Sequence, residues 1–321
     1  MSAIKPGQIA IGILAIAAIL LLILLAARFR SGIQSARSRL EAINSQIVQT
    51  ACSEIEYTTH GRGTPILVVH GIFGGHDQGL VMAKGQIGAD FRSIIPSRFG
   101  YLGSSMPEDA SPASQADAFA CLLDELGIEK AVILGTSAGG TAAIQFALRH
   151  PDRCTGLILV SSNAPGEVEV GLPPRPLANV LFRSDFAFWL MTTAFPSSMH
   201  DIMGVPADYE MTPQEQAEME EVMATLLPVS PRAEGALFDM YVSNPSINKD
   251  TPLGEITVPT LVIHAQDDPL ADYSNARAMA QAIPNAEMVT IPEGGHPLLG
   301  HEEEIRSRIA AFIENVKSGE E

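Results

Sequence analysis

Basic charge is scarce in this sequence: Lys and Arg number 20 against 37 Asp and Glu, a formal net charge of -17. Lys5, Arg28, Arg30, Arg37 and Arg39 all fall in the first 50 residues, beside Glu41 alone, so the rest of the chain is more acidic still. An acidic body repels phosphate backbones, and no basic stripe interleaved with aromatics runs through it, which argues against nucleic acid as a partner. Cysteine is sparse too. Cys52, Cys121 and Cys154 are odd in number and lack CxxC spacing, which argues against a disulfide framework or a cysteine-built metal site and predicts three free, mostly buried thiols. No HExxH, no carboxylate cluster with metal-ligand spacing and no glycine-rich loop ending in Lys-Ser/Thr occurs, so no metal, nucleotide or other cofactor is implied. Internal repeats and low-complexity segments are missing as well. A length of 321 residues then suits one large domain with an appendage.

What the sequence does have, first, is a long apolar run. Ile9 to Ala27 is 19 residues without a charge, roughly 28 Å as a helix, close to the hydrocarbon thickness of a bilayer. A cleaved signal peptide has a shorter apolar core and small residues before its cut site, whereas Arg28 and Arg30 follow this run. The segment is read as a single-pass membrane anchor. Four arginines after it, against Lys5 before it, place the following domain in the cytoplasm by the positive-inside rule, and free thiols agree with that side. Residues 29–50 read as a helical stalk, with Ile33, Leu40, Ile43 and Ile47 at helical spacing, most simply a solvated linker.

After Cys52, short β-branched runs alternate with helical periods: Ile55–Thr59, Ile66–Val69, Ser93–Ile95, Ala131–Gly135, Leu157–Val160, Thr260–Ile263 and Met288–Ile291. Between them lie amphipathic stretches such as Ser111–Leu126, which opens on Ser-Pro and stripes Phe119, Leu122, Leu123 and Leu126 along one face. This alternation predicts an α/β fold, a mostly parallel sheet wrapped by helices. Residues 163–255 break the rhythm, holding 11 of 22 prolines, 7 of 12 methionines and the only tryptophan, Trp189. They read as a helical cap inserted in a core formed by residues 51–162 and 256–321, with helices near Leu177–Thr193, Pro213–Leu226 and Arg232–Val242.

The sharpest chemical signal is Gly135-Thr136-Ser137-Ala138-Gly139, set between the strand run AVIL and the helical run GTAAIQFALRH. A serine at such a strand-to-helix elbow is lifted above the sheet edge on a strained turn, and small neighbours two positions away leave that turn room. The helix adds its N-terminal dipole, and the Ala138 N–H is placed to stabilise an oxyanion. A hydroxyl nucleophile needs a base, and the base an orienting carboxylate. Gly294-Gly295-His296 follows the last strand, and Asp267 and Asp268 follow TLVI, giving the order Ser, Asp, His. Loop length favours Asp268, with Asp267 and Asp272 as alternatives. The glycine-rich turn His70-Gly71-Ile72-Phe73-Gly74-Gly75 offers the second oxyanion donor, the Ile72 N–H.

Taken together, His70-Gly71, PSRFGYLGSS at 96–105, GTSAGG at 135–140, HAQDDP at 264–269 and Gly294-Gly295-His296 resemble the α/β-hydrolase superfamily over about residues 53–316. The resemblance is nearest to capped members such as monoacylglycerol lipases, carboxylesterases and cofactor-free perhydrolases. It implies an eight-stranded-type sheet and Ser137, Asp268 and His296 as a triad. Serine at the nucleophile position departs from the haloalkane dehalogenases and epoxide hydrolases, which look alike but use aspartate there. Ser97 stands where many relatives carry aspartate, and Ala265 where glycine is common. The expected activity is hydrolysis of a lipophilic carboxylic ester. Amide or carbon-carbon bond hydrolysis, perhydrolysis, or a non-catalytic binding role on the same fold are the alternatives.

Overall fold

The computed structural model describes residues 6–166, 172–248 and 251–318; Lys5 and parts of the insertion at 167–171 and 249–250 lie outside them. One eight-stranded sheet organises the chain: β1 (Gln46–Gln49), β2 (Glu54–His60), β3 (Pro65–Val69), β4 (Arg92–Pro96), β5 (Ala131–Thr136), β6 (Cys154–Val160), β7 (Thr260–Ala265) and β8 (Ala286–Ile291), in the order β1-β2-β4-β3-β5-β6-β7-β8. The pairs β1/β2 and β2/β4 are antiparallel and all others parallel. The central strands β3, β5, β6 and β7 are buried almost throughout, as parallel strands covered on both faces must be.

Helix α1 (Pro6–Glu41) precedes the sheet, and α2 (His76–Met82), α3 (Pro112–Glu125) and α4 (Gly139–Arg149) alternate with its strands. The stretch 112–125 becomes helical as its spacing requires. Ser111 accepts the Ser114 N–H and Ser114 returns the bond, a capping box, with Pro112 in the first turn. Its apolar stripe, with Phe119, Leu122 and Leu123, packs with Phe146 of α4 in one core layer; Ile305, Ile309 and Phe312 of the last helix serve the other face.

Between β6 and β7 stand α5 (Arg175–Phe182), α6 (Asp185–Ala194), α7 (Pro196–Ile202), α8 (Pro213–Ala224), α9 (Ala233–Phe238) and α10 (Asn244–Ser246); α11 (Tyr273–Ala282) and α12 (Glu302–Ser318) complete the core. The single helix expected over 177–193 is two, because Ser184 leaves the helix and caps α6 by accepting the Ala187 N–H. The insertion has its own apolar cluster, in which Phe182, Phe188, Met199, Leu226 and Val229 are buried and against which Ile72 and Phe73 of the core pack.

Two expectations for the N-terminal region need correction. The stalk is not helical to Thr50: α1 ends at Glu41, and Gln46–Gln49 forms β1, pairing Gln46 with Tyr57 and Gln49 with Glu54. The segment QIVQ is mostly exposed, as an edge strand can be, and four residues are too few for periodicity to separate strand from helix. Nor is the stalk a solvated linker. Ile33 and Ala36 are buried, Phe29 packs edge-on against Phe186 at 5.2 Å, and Arg39 donates to the Ala224 and Leu227 carbonyls of the insertion.

The three cysteines are not all free. Cys52 and Cys121 form a disulfide, their Cα atoms 6.1 Å apart, and Cys154 alone is free and buried. An odd count leaves room for one pair, and partners 69 positions apart carry no local spacing signal. Disulfides persist in oxidising compartments, so the support that free thiols lent a cytoplasmic domain is withdrawn.

Candidate active site

Ser137 sits where β5 ends and α4 begins, with φ at +49°, a left-handed conformation that a non-glycine residue adopts only when its surroundings enforce it. The surroundings are tight. A Cβ on Gly139 would meet the carbonyl oxygens of Val69 and His70 at 2.3 and 2.5 Å, and one on Gly135 would meet the Ala143 Cβ at 2.7 Å. Only glycine lets α4 start this close to β3. The Ser137 N–H donates to Val160 O and its carbonyl accepts from Asn163 N–H, which fixes the turn from both sides.

His296 Nε2 lies 2.9 Å from Ser137 Oγ, and its Nδ1 lies 2.8 Å from Asp268 Oδ2. An ionised carboxylate only accepts, so Nδ1 carries the ring proton and Nε2 is left to accept from the serine hydroxyl. Asp268 Oδ1 accepts the N–H groups of Leu270 and Ala271 at 2.8 and 2.9 Å, and Oδ2 also lies 3.2 Å from His264 Nε2. Burial alone would raise this carboxyl. The charge of His296 and the hydrogen bonds from His264, His296 and Ala271 outweigh it and hold Asp268 well below the usual carboxylate range.

The geometry separates the three acids. Asp267 accepts the N–H groups of Gly294 and Gly295 at 3.1 and 2.9 Å and so fixes the loop that carries His296. Asp272 caps α11 by accepting from the Ser274 and Asn275 N–H groups. Only Asp268 reaches the imidazole.

Opposite Ser137 runs the 70–75 turn. A Cβ on Gly71 would stand 3.2 Å from the Ser137 Cβ and 3.7 Å from its Oγ, so this backbone passes beside the hydroxyl. Among the described residues the Ile72 and Ala138 N–H groups donate to no protein acceptor. The Gly71 carbonyl, by contrast, accepts from three donors: His70 Nδ1 at 2.7 Å, Arg98 Nη2 at 3.1 Å and the Gly74 N–H at 3.3 Å. In a trans peptide the C=O and N–H point oppositely, so fixing Gly71 O on the Arg98 side sends the Ile72 N–H the other way. Arg98 is in turn fixed by Asp239 of the insertion, whose carboxylate also accepts from the Tyr101 hydroxyl. A second buried guanidinium, Arg232, spans Asp77 at 2.7 Å and the Gly74 carbonyl at 2.5 Å. His70 Nε2 accepts the Arg98 N–H at 3.0 Å, and burial together with the Arg98 charge keeps its ring neutral, far below the ordinary histidine value.

The family model described as alpha/beta hydrolase fold matches residues 64–302, most of the chain. The chain belongs to the α/β-hydrolase family. It is a hydrolase, and proteins of known name resemble it over most of its length. The 2-hydroxymuconate semialdehyde hydrolase of Pseudomonas putida is 29% identical over 268 residues, spanning 79% of this hydrolase and 87% of that protein. A thermophilic esterase from Thermogutta terrifontis is 25% identical, with a TM-score of 0.63 over 85% of this hydrolase and 99% of that chain. A membrane phospholipase A, described as a bacterial virulence factor, is similar in fold with a TM-score of 0.60 at 22% identity, over 96% of this hydrolase and 97% of that chain.

Several residues around the site carried no signal in the hydrolase's sequence. Gly204, in the insertion, accepts the His296 N–H at 2.9 Å, and a Cβ there would lie 2.4 Å from the His296 Cβ. Asp239 and Arg232 act across 141 and 155 positions of sequence, beyond any motif. Ser97 takes up its place by accepting the His76 N–H at 3.1 Å. A cleft of about 670 Å³ lined by Arg39, Tyr57, His60, Lys84 and Arg92 lies beside α1, and neither Ser137 nor His296 lines it.

Proposed function

We propose that this hydrolase cleaves carboxylic esters of lipophilic acids through an acyl-enzyme on Ser137. The observation that carries the reading is the unbroken line from Asp268 through His296 to Ser137, with two backbone amides beside it that have no acceptor of their own. The Ser137 proton passes to His296 Nε2 as Oγ bonds to the ester carbonyl carbon. The resulting oxyanion accepts from Ile72 and Ala138, and Asp268 stabilises the imidazolium. Collapse breaks the bond to the alkoxy oxygen, which leaves with the proton from His296. Water then repeats the sequence on the acyl-enzyme, and the free acid departs.

Lipophilicity is argued from the insertion, which lays an apolar cluster including Met191, Met203, Met223 and Met240 against Ile72 and Phe73. Flexible methionines adapt to varied chains. The likeness to the Thermogutta terrifontis esterase favours an ester. The likeness to the 2-hydroxymuconate semialdehyde hydrolase favours the second reading, another scissile bond met by the same residues.

The apolar half of α1 serves in this proposal as a membrane anchor, its side chains from Ile11 to Leu24 standing exposed. No nucleic acid and no cofactor takes part. For orientation, four arginines after the span favour the cytoplasm and the Cys52–Cys121 pair an oxidising compartment. Maleimide labelling of intact cells, with and without prior reduction, separates the two.

The deciding experiment is hydrolysis of p-nitrophenyl esters of graded chain length by the full chain in detergent. Ser137→Ala is expected to remove on the order of 10⁶ of kcat, with a rate optimum at long acyl chains. An optimum at acetate would refute the lipophilic substrate. No ester turnover despite fluorophosphonate labelling of Ser137 would move the reading to amide or carbon-carbon bonds, and no labelling would leave a binding protein.

A further inference from the structure

We infer that the insertion itself lies against the lipid bilayer, through an apolar face on α5 and the α6–α7 corner. The inference rests on reading α1 as an anchor, but goes beyond it: a tether could leave the domain free in solvent, whereas this face would hold it at the lipid surface.

The first observation is where α1 meets the insertion. The helix runs unbroken from Pro6 to Glu41, so its apolar span and its docked half share one axis. Docking begins at Phe29, whose ring contacts Phe186 at 5.2 Å and Trp189 at 5.5 Å. Gly32 follows, so close that a Cβ there would lie 2.9 Å from Trp189 Nε1. Phe29 is two positions past Ala27, the end of the uncharged run, about 3 Å along the helix axis. Helix α6 is therefore fixed at the depth where hydrocarbon gives way to headgroups, the depth that aromatic side chains favour in membranes.

The second observation is what this part of the insertion exposes. Leu177 and Val180 are 59% and 69% exposed, Phe195 60%, Ile202 48% and Phe186 41%. On α5 the stripe of Leu177 and Val180 lies opposite Ala178 and Phe182, which are buried against the insertion's cluster, so the helix is apolar on both faces. A soluble surface helix is polar on its outer face. Arg28 and Arg30, exposed on either side of Phe29, supply the cations that anionic headgroups attract. An apolar outer face, at interfacial depth, beside cations, fits a bilayer as its occupant.

The test uses the full chain in vesicles of phosphatidylethanolamine and phosphatidylglycerol. Cys154 is buried and Cys52 is paired with Cys121, so a cysteine introduced as Val180→Cys, Phe195→Cys or Gln281→Cys is the only reactive thiol for an environment-sensitive fluorophore. Gln281 is the control, on α11 against β7 and β8. Flotation with the vesicles reports the anchor; quenching by lipids brominated near the headgroup end of the chains reports the face. Labels at 180 and 195 are expected to lose about half their emission and the label at 281 almost none, as for a face buried roughly 5–10 Å into the interface. Flotation without quenching at 180 and 195 would overturn the inference and leave the anchor standing. A blue-shifted label that brominated lipid does not quench, with energy transfer between copies, would overturn it in favour of a second copy on this face. Failure to float would remove the anchor and the inference together. Circular dichroism of each labelled variant confirms that the fold is kept.

Discussion

Replacing Asp268 by asparagine alters one atom, and the surrounding hydrogen bonds dictate which one. Oδ1 accepts from the Leu270 and Ala271 N–H groups at 2.8 and 2.9 Å, so the amide oxygen must take that place. The NH2 then occupies the Oδ2 position, 2.8 Å from His296 Nδ1 and 3.2 Å from His264 Nε2. To accept from it, His296 must move its proton to Nε2, which lies 2.9 Å from Ser137 Oγ and then has no lone pair for the serine proton. A wrong-tautomer base costs about 10⁴ in kcat in serine hydrolases with this arrangement, which is about 5 kcal/mol of barrier. KM is expected to change little, because Asp268 is buried behind the imidazole. Asp267→Asn is the control: it gives up one of two bonds to the Gly294 and Gly295 N–H groups, a loss of about 1 kcal/mol, or less than about tenfold in rate. Steady-state ester hydrolysis by both variants, with Ser137→Ala as the floor and urea unfolding to confirm folding, checks the chain of reasoning. A folded Asp268→Asn enzyme that keeps more than about a tenth of its kcat would refute it, as would a larger loss in Asp267→Asn.

The remaining predictions concern groups that flank the site. Arg98→Lys keeps the charge beside Asp239 but loses the planar fork that reaches Asp239 and the Gly71 carbonyl together. The Ile72 donor then loosens, and kcat is expected to fall by about 10²-fold with KM nearly unchanged; an unaltered kcat in the folded variant would show that the clamp does not orient that amide. Asp239→Ala leaves Arg98 buried and unpaired and is expected to destabilise the fold by about 3–5 kcal/mol in urea titration. Burial pushes the Cys154 thiol up to about 12, from an ordinary value of 9.0. Above pH 9 the unfolded thiol has lost a proton that the folded one keeps, so the unfolded state binds fewer protons and stability falls as pH rises, by up to about 4 kcal/mol near pH 12. Cys154→Ala removes that slope, and urea midpoints of both proteins between pH 9 and 11.5 measure the difference.

The legible part of this protein is the part written in short-range pattern. The seven β-branched runs after Cys52 all fall within strands; in β3, β5, β6 and β7 this is the composition that parallel strands buried on both faces need. The elbow is legible because glycine is forced at 135 and 139 by contacts under 3 Å. Asp268 and Asp267 are chemically identical in sequence; only the backbone amides that each meets separate them. β1 was hidden by its brevity, and the Cys52–Cys121 pair by its separation. Residues of the insertion that serve the site, Gly204, Arg232 and Asp239, have no periodicity or motif to give them away. They matter through the sheet edge that the fold brings beneath them.

That insertion is where the two halves of the chemistry meet. Its Phe186 and Trp189 hold α1 through Phe29, and Phe182 and Phe188 hold Phe73 at 4.7 and 5.7 Å. Phe73 follows Ile72 directly and has φ at +58°, so the residue beside the candidate oxyanion donor is kept in a strained conformation by rings of the insertion. Gly204 meanwhile accepts the backbone N–H of His296. The helix that would enter the membrane is thus one layer of aromatic contacts from the loop that would stabilise the oxyanion, while the insertion meets the base separately, through Gly204. Loosening α6, as Gly32→Val would do by crowding Trp189, disturbs the docking of α1 and the support of Phe73 together. Both connections are what the proposed seat of the site at a lipid surface would use.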